Sequence, residues 1–225
     1  MDQTTTLALE TIYTILVLAP TITIFIKTRN LYSFSGYKGL NYFSKAFLFL
    51  AIGFFFRYLA TLLRIFFHDN QLNTITNFGI LTTAMEFFLV LPGLLLLYSL
   101  IWKKFEKRIY KNRFLGNSET LIYLIAILLA LGDYLLQSFL LMYTSQILLF
   151  MIASIVSYKK TREKKRPMMQ LYFIAMVLFF IAWIINFIAQ YTINMLPVLR
   201  VYVYLITVTV CFIFLYIIAK LTRDF

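Results

Sequence analysis

Apolar runs separated by short polar stretches recur along the whole chain. About 20 predominantly apolar residues carry a helix across the hydrocarbon core of a bilayer. Seven runs are candidates: Leu7 to Ile26, Leu40 to Phe67, Ile75 to Trp102, Thr120 to Met142, Gln146 to Tyr158, Met168 to Gln190 and Leu196 to Ala219. The pattern predicts an all-α, polytopic membrane protein with seven transmembrane helices in a single domain, residues 1–225. The second and third runs are long enough to tilt or to extend past the membrane. No strong turn divides the fourth from the fifth. The polar cluster Tyr143-Thr144-Ser145-Gln146 places the turn there, because a break at Gly132-Asp133 would leave the fourth helix too short to span. Met1 to Thr6 has no basic region and no clear cleavage site follows, so the first run reads as a retained span and not a signal peptide.

The basic residues orient these spans. Lys27, Arg29, Lys38 and Lys45 lie at the first connection, Lys103, Lys104, Lys107, Arg108, Lys111 and Arg113 at the third, and Lys159, Lys160, Arg162, Lys164, Lys165 and Arg166 at the fifth. Lys220 and Arg223 follow the last span, while the second, fourth and sixth connections have almost no Lys or Arg. The excess of cytoplasmic Lys and Arg in membrane proteins then puts the N-terminus outside and the C-terminus inside. The basic loops are also candidates for binding anionic lipid head groups or a cytoplasmic partner.

Composition agrees with this reading. The chain is 62% hydrophobic and 19% aromatic, with a mean hydropathy of +0.84, beyond a soluble domain whose apolar share is nearer one half. A net charge of +12 points away from nucleic acid, because the cations sit in short loops between spans. The expectation is a multi-pass protein of the cell membrane whose surroundings are the lipid bilayer, with no nucleic-acid partner and no appended catalytic domain.

Polar groups inside the spans narrow the picture. Arg57 and Arg64 lie seven residues apart on one face of the second helix. Arg57 is roughly 13 to 15 Å inside the outer end of that helix, and Glu86 roughly 16 Å inside the outer end of the third. A guanidinium at that depth calls for a partner within the protein. Glu86 or Asp133 is the expected contact. Asp133 and Gln137, four apart on the fourth helix, complete a candidate buried polar cluster with Arg57 and Glu86. Glu10, Arg64, Asn186, Gln190 and Arg200 lie within about two turns of the outer helix ends and form a candidate outer vestibule. The inner halves hold hydroxyls such as Thr21, Thr23, Ser99, Ser154 and Tyr216, so a pocket would open outward above a dry inner half. His68, in the loop His68-Asp69-Asn70-Gln71, reads as solvated.

One histidine and one cysteine, Cys211, cannot form the usual nitrogen and sulfur metal sites, and no Ser-His pair lies in the membrane. No metal, cofactor or enzymatic activity is expected. Ala130-Leu131-Gly132-Asp133 resembles the glycine-x-glycine-aspartate motif of intramembrane aspartyl proteases, but has Ala130 for the first glycine and no second aspartate within a span. Seven helices, an outside N-terminus, short loops and Glu86 midway along the third helix together resemble the microbial rhodopsins. Val208-Thr209-Val210-Cys211-Phe212-Ile213 stands where that family has its retinal lysine, so the resemblance implies architecture without a covalent retinal.

A weak repeat pairs Gly53–Ala60 of the second span with Ala182–Ala189 of the sixth, and Leu97–Leu100 of the third with Leu215–Ile218 of the seventh. This 3+1+3 pattern resembles the SWEET and PQ-loop transporters. Pro20 suits that family's first helix, but Gln146 to Tyr158 has no proline and no proline-glutamine pair occurs. Three functions are therefore expected in order: a receptor- or sensor-like protein with an outward polar pocket, a small-solute transporter, and a structural subunit of a membrane complex.

Overall fold

A computed structural model describes residues 3–66, 79–109, 118–164, 167–191 and 197–223. Among them are seven helices: α1 (Gln3–Ser35), α2 (Lys38–Phe66), α3 (Ile80–Ile109), α4 (Ser118–Leu136), α5 (Leu140–Lys164), α6 (Pro167–Tyr191) and α7 (Pro197–Arg223). All seven are long and apolar enough to cross a membrane, and the chain is a multi-pass membrane protein. His68 and the side chains of Arg64 and Arg200 lie outside the described residues.

Consecutive helices α1, α2 and α3 pack side by side, α3 packs on α5, and α5, α6 and α7 follow until α7 closes on α1. The result is a ring of six. Among the described residues the backbone of α4 packs beside α3 and α5 alone and only its side chains reach α2, so it stands outside the ring, with Leu124, Ile127, Leu128, Leu131 and Leu135 exposed as a lipid-facing surface requires. Two contacts hold α4 at its start: the Lys45–Glu119 ion pair of 2.7 Å and the edge-to-face packing of Tyr123 on Phe49.

The turn between α4 and α5 corrects the sequence expectation. Tyr143, Thr144, Ser145 and Gln146 all lie within α5, and the break falls at Gln137, Ser138 and Phe139. Gln137 adopts a left-handed backbone with φ of 49°. The Ser138 N–H reaches the carbonyl of Asp133 at 3.2 Å and the Gln137 N–H that of Tyr134 at 3.3 Å, the pairing that ends many helices. Such a turn usually carries Gly or Asn, which have the least penalty at positive φ, and Gln137 hides it. The 19 residues of α4 rise roughly 28 Å, close to the hydrocarbon thickness, so the shorter helix still spans.

The half of the bundle nearest the start of α2 and the end of α7 is packed with aromatic rings. Phe214 of α7 packs on Phe47 at 5.2 Å, Tyr172 at 5.4 Å and Phe179 at 6.1 Å, and Phe179 meets Phe150 at 5.0 Å. This aromatic layer ties α2, α5, α6 and α7 together. The hydroxyls of Thr21, Thr23, Ser99 and Ser154 each donate to a carbonyl on their own helix, so they bring no unmet polarity. Beyond the layer, Lys103 sits 5.3 Å from the Tyr37 ring and 5.6 Å from that of Trp102, an arrangement typical of a membrane interface.

Close approach of α2 to α3 depends on Gly53. A Cβ there would stand 2.8 Å from Leu89 Cδ2 and 3.2 Å from the Phe88 carbonyl carbon; the second is backbone and cannot turn aside. Gly53→Leu is expected to destabilise the protein by about 1 to 3 kcal/mol through overpacking, read as a lower midpoint of thermal unfolding in detergent. An unchanged midpoint would mean that α2 and α3 are not in contact at this point.

Candidate functional site

A cavity of about 570 Å³ occupies the bundle end that carries the N-termini of α1, α3, α5 and α7. Six helices line it and α4 does not. At the rim, Leu9, Gln190 and Val201 are exposed and Thr61 half-buried; at the floor, Leu50, Leu96, Phe150 and Phe179 are buried. The cavity therefore ends on the aromatic layer.

Its wall is built around Arg57. The guanidinium stands over two rings, 5.3 Å from the centre of Tyr13 and 5.1 Å from that of Tyr204, and these rings stack on each other at 4.0 Å. Nη2 of Arg57 donates to the Tyr204 hydroxyl at 2.8 Å and pairs with Oε1 of Glu10 at 3.4 Å. The same hydroxyl donates to Oε1 of Glu10. Tyr204 thus links cation to carboxylate, and three helices meet through one polar knot. Glu10 and Tyr13 are three residues apart on α1, the spacing that puts both on one face. A hydrogen bond of 3.1 Å between Thr11 and the Tyr58 hydroxyl adds a second tie between α1 and α2.

Arg57 is therefore not paired as the sequence predicts. Among the described residues neither Glu86 nor Asp133 forms an ion pair or hydrogen bond with it, because its face of α2 turns toward α1 and α7. Glu86 is buried, with Oε2 unpartnered, and neither it nor Asp133 lines the cavity. Asp133 has a different task. Its two carboxylate oxygens accept the backbone N–H groups of Leu141 at 2.8 Å and Met142 at 2.6 Å, donors left over in the first turn of any helix. Phe139, which precedes α5, has no side-chain oxygen to cap it, and Asp133 acts in its place from α4. Gln137 is exposed, past the end of α4, with Nε2 donating to the Tyr134 carbonyl at 2.8 Å. It does not belong to a buried cluster.

The vestibule residues fare differently. Glu10, Asn186 and Gln190 do line the cavity, but Glu10 is a buried partner of Arg57 and not a rim group.

Gln146 is the residue the sequence places in the wrong role. It is fully buried on α5, lines the cavity, and donates from Nε2 to the Val90 carbonyl at 3.3 Å. Its Oε1 has no partner among the described residues and is not open to the cavity. Gly93 makes room for that oxygen, since a Cβ on it would lie 2.5 Å away. Trp183, Tyr143, Phe139 and Phe54 supply aromatic wall. In a chain with 16 tyrosines and 24 phenylalanines no sequence signal separates these rings, or Tyr13 and Tyr204, from those that face lipid.

No family model and no solved structure matches the chain. An uncharacterized protein of Archaeoglobus fulgidus is 30% identical to it over 170 residues, 71% of this chain and 70% of the relative.

Proposed function

The chain belongs to one family with that Archaeoglobus fulgidus protein, and from the geometry of its own cavity we propose that it is a receptor- or sensor-like protein of the cell membrane. It binds a small solute from the outer side, without enzymatic turnover and without covalent retinal. The N-terminus is outside, so the end holding the cavity faces outward and the basic end faces the cytoplasm. There the Lys- and Arg-rich loops meet anionic lipid or a partner that carries the output.

The observation that carries this reading is the placement of polarity. Arg57, Glu10, Asn186 and Gln190 all border one cavity at one end of the bundle, and an aromatic layer closes the path beneath them. Ionisable groups within a membrane span favour function over packing, and a 570 Å³ cavity is of the size that holds small molecules.

Single cysteines test the orientation and the cavity together, in a Cys211→Ala background. Asn70→Cys and Asn186→Cys are expected to react with a membrane-impermeant maleimide on intact cells, and Asn117→Cys only after the membrane is opened. Reaction of Asn117→Cys on intact cells would overturn the orientation, and an inert Asn186→Cys would remove the outward cavity.

A small-solute transporter is the second reading. It is favoured by Pro92 inside α3 at the cavity wall, a position where a helix bends, and by the three-helix runs α1–α3 and α5–α7 flanking a peripheral α4. These runs have the arrangement expected of a 3+1+3 repeat. A transporter would also let Asn186→Cys react with reagent applied from the cytoplasmic side of inverted vesicles; a sensor would not.

A further inference from the structure

The polar groups of the cavity come as an opposed pair with capacity to spare. Arg57 uses only Nη2, and Glu10 only Oε1, in the contacts among the described residues. Nε and Nη1 of the guanidinium and Oε2 of the carboxylate are uncommitted, and both residues line the cavity. The Tyr13 and Tyr204 rings hold the guanidinium in place, so these donors are positioned before anything binds.

Charge decides what can enter. The described lining residues carry one cation, Arg57, and one anion, Glu10, and sum to zero. A monocarboxylate would leave a net negative charge in a site walled by apolar groups, and an amine a net positive one; each is costly within a membrane. A zwitterion leaves none. Its carboxylate can accept a charge-assisted hydrogen bond from Nε or Nη1 of Arg57, and its ammonium can donate to Glu10. Around these groups the wall is largely aromatic, with Trp183, Tyr143 and Phe54, which suits a flat ring.

We propose that this cavity binds the zwitterion of an aromatic α-amino acid. Its carboxylate sits on Arg57, its ammonium on Oε2 of Glu10 and its ring among Trp183, Tyr143 and Phe54. This deepens the outward-cavity reading and rests on it.

The test is equilibrium binding to the purified wild-type protein in detergent, with L-tryptophan and L-phenylalanine as probes. Indole-3-propionate lacks the ammonium and tryptamine lacks the carboxylate. Saturable binding of both amino acids is expected, with each of the two analogues at least about tenfold weaker than tryptophan. Equal binding of indole-3-propionate or tryptamine, or no binding of either amino acid, would overturn the proposal. The cysteine experiment separates the two levels: a reactive Asn186→Cys in a protein that binds no amino acid sinks the ligand assignment alone, and an inert one sinks the cavity reading as well.

Discussion

Arg57→Met is expected to destabilise the protein by about 3 kcal/mol, because it strands a buried carboxylate whose remaining partner is one tyrosine hydroxyl. The Glu10 side chain is 8% exposed and that of Arg57 27%, so the cation keeps some contact with the cavity and the effect stays at the low end of the range for buried pairs. Glu10→Gln should cost less, since the amide oxygen can still accept from Tyr204 and Arg57. The Arg57→Met/Glu10→Gln double variant should lose less than the sum of the two, as the second substitution removes the charge the first left behind. Cycles of Arg57→Met with Glu86→Gln and with Asp133→Asn should be close to additive. Thermal and denaturant unfolding in detergent reads all of these. Coupling to Glu86 or Asp133 in place of Glu10 would mean that α2 is rotated from the orientation described above.

Asp133→Ala should be comparably damaging, by about 2 to 4 kcal/mol, because two hydrogen bonds to one charged group are lost at once. The N–H groups of Leu141 and Met142 are then left without a partner at the start of α5, where the carboxylate also opposes the positive end of the helix dipole. Asp133→Asn should fall between wild type and Ala, since its amide keeps one accepting oxygen of the two. Hydrogen exchange provides the local readout. The Leu141 and Met142 amides should exchange faster in Asp133→Ala while amides in the middle of α2 change little. Unchanged exchange at Leu141 and Met142 would show that Asp133 does not cap α5.

Both results turn on contacts that no linear pattern displays. Seven spans, and the placing of most of them to within a turn or two, were legible because bilayer thickness imposes a length on every apolar run, and that constraint is written residue by residue along the chain. That Thr21, Thr23, Ser99 and Ser154 build no polar cluster was legible for a related reason: each can satisfy itself on its own helix, so hydroxyls in an apolar run need no partner elsewhere. The α4–α5 turn was not legible, because Gln137 takes a backbone conformation usually signalled by Gly or Asn, and the polar cluster Tyr143 to Gln146 offered a stronger local signal.

Sequence depth alone determined that Arg57 must find a partner inside the protein, since an ionised group within the membrane is costly wherever its helix points. Which partner it finds depends on rotation about the helix axis and on which helices become neighbours. Only the tertiary structure decided these. Ring closure brings α7 against α1, and with it Tyr204 between Glu10 and Arg57. The sequence separation of 194 residues between Glu10 and Tyr204 carries no trace of that contact. The same closure puts α4 outside the ring, which frees Asp133 from the cavity and leaves it to cap α5.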